Sequence, residues 1–89
     1  MTAPLIRIYS TRFCGYCRAA ERLLTSKGVE YQLIKVDEDP QQLEYMREIT
    51  GRHTVPQIFI DDFHVGGFDD LSALNHAGEL DGLLNPPSA

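Results

Sequence analysis

Leu5-Ile6-Arg7-Ile8-Tyr9-Ser10-Thr11-Arg12-Phe13-Cys14-Gly15-Tyr16-Cys17 decides the reading of this chain. Leu5–Ser10 is a short apolar run that predicts a mostly buried strand. Tyr16, Ala20, Leu23, Leu24 and Lys27 then recur at helical spacing, with Gly28 ending the helix. The two thiols, the only cysteines among 89 residues, therefore sit on a strand-to-helix turn. A Cys-x-x-Cys pair in that position suits redox chemistry rather than structural stapling. The first sulfur lies at the helix N-terminus, where unpaired N–H groups and the positive end of the dipole favour thiolate. The second lies one turn further on, close enough to form a disulfide with the first.

Working outward, Tyr31–Val36 alternates as a second strand. Asp39-Pro40 opens a helix, with aspartate as N-cap and proline at the first helical position. Leu43, Met46 and Ile49 form its apolar stripe, a core-facing pattern, and Gly51 ends it. Gln57–Ile60 and Phe63–Val65 flank Asp61-Asp62 and predict a tight hairpin. Asp69 is the expected N-cap of a helix through Leu71, Leu74 and Ala77, stopped by Gly78. A last short helix is expected from Glu79 to Leu84, before Asn85-Pro86-Pro87. The order is β-α-β-α-β-β-α(α), with the first two strands parallel through a right-handed crossover and the last two antiparallel. The expected architecture is a four-stranded mixed sheet with helices on its faces, in one domain over residues 1–89.

Composition narrows the function. Net charge is −5, which argues against general nucleic-acid binding. No stretch approaches a membrane span. Met1-Thr2-Ala3-Pro4 carries neither the basic nor the apolar region of a secretory signal. Two cysteines three apart cannot staple distant segments, so a reducing, cytoplasmic compartment is expected. The charge is uneven: residues 1–28 carry five Lys or Arg against Glu21 alone, whereas residues 53–89 carry six acids and no Lys or Arg. Most of these charges read as solvated surface. Arg12 and Arg18 fall beside the thiols, where positive charge favours thiolate and anionic ligands.

Cys14 is the candidate nucleophile, forming a mixed disulfide by attack on a disulfide sulfur. The N–H groups of residues 16 and 17 and the charge of Arg12 are its expected stabilisers. Cys17 is the candidate resolving thiol, expected to be the more buried of the two. Zinc would need two further ligands, and His53, His64 and His76 are not paired at ligand spacing. The histidines read as ordinary surface residues, and no metal site is expected. Thr54-Val55-Pro56 precedes the third strand, where proline cannot donate to a ladder. A trans proline in a loop is the plain alternative. A cis Val55–Pro56 bond, the expectation adopted, turns the Val55 backbone outward to pair with an extended peptide ligand. Gly66-Gly67-Phe68-Asp69-Asp70 combines a flexible backbone with a helix N-terminus, which binds carboxylates. Asp70 adds an anion for an ammonium, so a zwitterionic α-amino acid end suits both.

Cys-Gly-Tyr-Cys, Thr-Val-Pro-Gln-Ile-Phe-Ile and Gly-Gly-Phe-Asp-Asp-Leu, in this order, resemble the glutaredoxin family over roughly Leu5 to Leu84. The resemblance implies a thioredoxin-like α/β fold. It implies an enzyme that reduces protein disulfides and glutathione mixed disulfides, with glutathione as reductant. It makes Cys14 the nucleophile and Cys17 the resolving thiol. Tyr16, Thr54, Val55 and Pro56 would line the glutathione groove, and Gly67, Phe68, Asp69 and Asp70 would hold its γ-glutamyl end. The chain departs from the commonest family motif at Gly15, where proline is usual, and at Thr11, where many members carry lysine. The partner of the glycine carboxylate is thereby open between Arg12, carried forward as a glutathione-binding candidate, Arg52 and another group. The expected partners are glutathione and disulfide-containing or glutathionylated proteins, with no nucleic acid or membrane, and the chain is expected to be a monomer. The alternative function is an iron–sulfur dimer whose [2Fe-2S] cluster is held by Cys14 and glutathione.

Overall fold

A computed structural model describes residues 4–85. Met1-Thr2-Ala3, expected to carry no secretory signal, and Pro86-Pro87, expected to follow the last helix, lie outside them. The elements are β1 (Ile6–Ser10), α1 (Gly15–Ser26), β2 (Gln32–Lys35), α2 (Pro40–Thr50), β3 (Gln57–Ile60), β4 (Phe63–Gly66), α3 (Phe68–His76) and α4 (Leu80–Leu84). The strands form one sheet in the order β2-β1-β3-β4. β1 runs parallel to β2 and antiparallel to β3, and β4 returns antiparallel to β3. This is the four-stranded mixed sheet expected from the sequence.

Period-two alternation distributes the core between the two sheet faces. Ile6 and Ile8 of β1 and Ile58 and Ile60 of β3 pack with Ala20, Leu24, Leu71, Leu80 and Leu84, under α1, α3 and α4. Tyr9 and Phe59 face the other way and pack with Val36 and with Met46 of α2. Both central strands are therefore covered on both sides, which holds the C-terminal end of β1 fixed where the thiols follow.

Several boundaries differ from the sequence reading, each for a physical reason. Leu5 is outside β1, because the hairpin turn claims its backbone: its N–H donates to Asp61 Oδ1 at 2.9 Å and its carbonyl accepts from the Asp61 N–H at 2.7 Å. Asp69 does not cap α3. The helix starts at Phe68 after Gly67, and Asp70, three residues into the motif, reaches back to accept from the Gly67 N–H at 3.0 Å, the reciprocal half of a capping box. Asp39, by contrast, caps α2 as expected, with Pro40 in its first turn. His64 is not an ordinary surface residue: it is half-buried, stacked on Phe59 and hydrogen-bonded to Gln57.

Candidate active site

Cys14 is the N-cap of α1. Its Sγ accepts a hydrogen bond from the Cys17 N–H at 3.1 Å, so a backbone donor and the positive helix end both face that sulfur. Such an arrangement stabilises negative charge developing there. Cys17 is fully buried, whereas Cys14 is half-buried and faces the groove described below. Burial, and then the contact with Cys14, push the Cys17 thiol up to about 12, so it stays protonated at neutral pH. One sulfur is thus presented and the other enclosed.

The two arginines of the turn are used differently. The Arg18 guanidinium donates to Ser10 Oγ at 3.3 Å and to the Thr11 carbonyl at 3.2 Å, and it pairs with Glu21 at 2.7 Å. It braces the end of β1 from beneath. The Arg12 N–H donates to Asp37 Oδ2 at 2.9 Å, and its guanidinium lies 5.8 Å from the ring centroid of Phe13.

Beside Cys14 runs a groove of about 280 Å³. Thr54, Val55 and Pro56 form one wall, and Gly67, Phe68, Asp69 and Asp70 of the α3 N-terminus form the other; Tyr16 closes the thiol end. The Val55–Pro56 bond is cis. The Cys14 thiol approaches the Val55 carbonyl at 3.7 Å, which joins that sulfur to the groove. Tyr16 stacks on Phe68, with ring centroids 6.2 Å apart, and remains 66% exposed. Of the glutathione-binding candidates the structure brings all but Arg12 to this groove.

The sequence reading left one groove residue open and missed another. Arg52, raised only as an alternative, lines the groove with its Nη1 3.5 Å from Asp70 Oδ2. Gln57 was read only as a strand residue, yet the residue is 1% exposed and its side chain bonds back to Thr54. A polar side chain opening an otherwise apolar strand was the available signal, since such a group must find partners when buried. A larger hollow, about 630 Å³, lies between Leu5, Gly28–Gln32 and Leu84, and holds neither thiol nor any candidate site residue.

A family model described as Glutaredoxin matches residues 6–65. The chain belongs to the glutaredoxin family. It is 48% identical over 82 residues to a glutaredoxin of Neisseria meningitidis, covering 91% of this chain and 96% of that protein. The solution structure of a Brucella melitensis glutaredoxin superposes with a TM-score of 0.85 at 42% identity, covering 100% of this chain and 97% of that one. A crystal structure of a buckwheat glutaredoxin–glutathione complex superposes with a TM-score of 0.84 at 30% identity, covering 91% and 76%. The fold is thioredoxin-like, and the function that goes with family and fold is that of a thiol–disulfide oxidoreductase. Among the described residues no helix is long and apolar enough to cross a membrane.

Proposed function

We propose that this glutaredoxin is a glutathione-dependent enzyme that reduces protein disulfides and glutathione mixed disulfides. The observation that carries the reading is the junction of thiol and groove, with Cys14 Sγ held by the Cys17 N–H and set against the Val55 carbonyl. The Cys14 thiolate attacks one sulfur of a substrate disulfide. A sulfur–sulfur bond forms to Cys14 as the substrate bond breaks, and the second substrate sulfur leaves as thiolate and takes a proton from water. With a protein disulfide, Cys17 gives up its proton and attacks Cys14 Sγ, releasing the reduced protein and leaving a Cys14–Cys17 disulfide. Two glutathione thiols then reduce that disulfide and leave as glutathione disulfide. With a glutathionylated substrate, the glutathionyl group stays on Cys14 and a second glutathione removes it.

The groove fits such a ligand end to end. The segment Thr54-Val55, exposed at Thr54 and outside any strand, suits an extended peptide, the α3 N-terminus suits the γ-glutamyl carboxylate, and Asp70 suits its ammonium. Arg52 is the cation that lines the groove, beside Asp70, and Arg12 lies outside it. The buckwheat complex, a relative described with glutathione, supports the same ligand. The enzyme is proposed to work as a single-domain monomer in the cytoplasm. A glutathione-coupled disulfide reductase assay, preceded by an absorbance spectrum, tests the whole reading. Asp70→Ala should weaken glutathione use by about 1–3 kcal/mol. A stable brown dimer with negligible reductase activity would replace this reading with the iron–sulfur one.

A further inference from the structure

We propose that His64 and Gln57 are positioning residues that hold the Thr54 wall of the groove from behind, and so set the affinity for glutathione. The inference rests on the proposed glutathione reading. Thr54 lies in the exposed segment between α2 and β3, where no strand or helix fixes it. Gln57 Nε2 donates to the Thr54 carbonyl at 3.0 Å and to its hydroxyl at 3.3 Å. One amide thereby anchors both polar atoms of the residue before Val55. Because the Gln57 nitrogen faces Thr54, its Oε1 faces His64, whose Nε2 lies 2.8 Å away. An amide oxygen accepts, so Nε2 carries the proton in this contact. Burial first, and then the positive charge of Arg52, lower the His64 pKa, while Asp70 opposes them. The neutral ring with its proton on Nε2 is therefore the resting form.

The His64 ring is itself fixed. It stacks on Phe59 at 4.8 Å between centroids and 22° between planes, and the Arg7 guanidinium lies 4.7 Å from the same Phe59 centroid. Arg7, Phe59 and His64 are opposed across β1, β3 and β4. The rigid hairpin, rather than the loop, is what places Thr54. A groove wall held before the ligand arrives spares the ligand the cost of ordering it.

Two variants separate the relay from simple packing. His64→Phe keeps an aromatic ring on Phe59 and removes the donor, whereas His64→Gln keeps a donor and removes the ring. His64→Phe should raise KM for glutathione about three- to tenfold, the range expected for loss of a buried hydrogen bond. The turnover number should stay within about twofold, because Cys14 and Cys17 are untouched, and His64→Gln should recover part of the loss. Single-turnover reduction of a small disulfide without glutathione should match the parent in both. An unchanged KM in His64→Phe, alongside a raised KM in Asp70→Ala, would overturn the relay and leave the glutathione reading intact. Loss of glutathione use in none of these variants would overturn both. A long-range proton–nitrogen NMR spectrum of the unaltered protein provides a check independent of glutathione. It should show His64 protonated on Nε2, and a ring protonated only on Nδ1 would overturn the proposed chain of donors.

Discussion

The thiol turn and the groove beside it are built in opposite ways. The turn is local: its decisive hydrogen bond joins residues three apart, Cys14 and Cys17, and its geometry follows from one strand ending and one helix beginning. The groove is assembled from Tyr16 on α1, the segment from Arg52 to Gln57, and the first turn of α3. Its contacts run from Arg52 to Asp70 and from Thr54 through Gln57 to His64. A local device tolerates change in the rest of the molecule and fails only at its own residues. An assembled one can be damaged from behind, by residues that never touch the ligand.

The largest effects should fall on the turn itself. Cys14→Ser should abolish exchange with every substrate, since no other described cysteine is presented to the groove. Cys17→Ser should retain turnover of glutathione mixed disulfides, where glutathione resolves the intermediate, and lose most activity on protein disulfides. Reductase assays with one substrate of each kind measure the split. Equal loss on both would place the attacking thiol at Cys17.

For the groove, the severest single change should come from its neighbour, as Gly66→Ala. Gly66 has φ of 113°, and a Cβ there would collide with the Asp70 carboxylate and press on the Arg52 guanidinium. The backbone term alone should cost about 1–3 kcal/mol of stability. Displacing Asp70 also removes the acceptor for the Gly67 N–H, so KM for glutathione should rise in parallel. Gly28→Ala is the control: it too has positive φ, at 73°, but a Cβ there meets open space. It should lose stability without affecting glutathione use. If both variants shift KM alike, the groove is responding to general loosening rather than to Asp70.

The same contrast explains what could be read from the chain before folding it. The strand, the turn and the α2 cap at Asp39-Pro40 were legible because each is decided within about five residues. The order of elements followed from alternation and helical spacing. What escaped the sequence was tertiary. Leu5 looked like strand, but Asp61 takes its backbone. Asp69 looked like a cap, but Asp70 does the capping, because the helix begins two residues earlier than that reading placed it. Arg12 is the cation nearest Cys14 in sequence, yet Arg52 is the cation brought to the groove by the end of α2. His64 resembled any exposed histidine until β4 laid it on Phe59. Of the groove residues that were recovered, Val55, Pro56 and Asp70 came through local chemistry and the others through motif resemblance, none through periodicity.

The pH dependence of stability should report the buried thiol. Cys17 has a folded-state pKa raised from 9.0 to about 12. The unfolded chain therefore loses this proton first, and above pH 9 deprotonation favours unfolding. The Cys17 contribution is constant at lower pH. It should decline through the window from 9 towards 12, by roughly 1 kcal/mol at pH 10. Denaturant titrations of reduced protein at pH 8 and pH 10, compared with Cys17→Ala, isolate it. An identical pH dependence in both would mean that the sulfur reaches solvent far more readily than its burial indicates.

The smallest expected effect tests how tolerant the local device is. Gly15 occupies the first position of α1, after the Cys14 cap. Its amide is one of the four that a helix start leaves unpaired, so a proline there sacrifices no intrahelical bond. A Cβ at Gly15 meets nothing within 4 Å. Proline also requires the preceding residue to be extended, and Cys14 already is, at φ −109° and ψ 110°. Both conditions favour proline, leaving the reduced freedom of the unfolded chain as the main term. Gly15→Pro should therefore stabilise the reduced protein by about 0.5–1 kcal/mol, a rise of a few degrees in Tm for a domain of this size. The Cys17 N–H would still reach Cys14 Sγ, and glutathione KM should not move, because the groove wall is anchored elsewhere. A fall in Tm would show that the turn depends on a backbone donor at position 15. A changed glutathione KM would show instead that turn and groove are one device, and that their separation into a local and an assembled part is wrong.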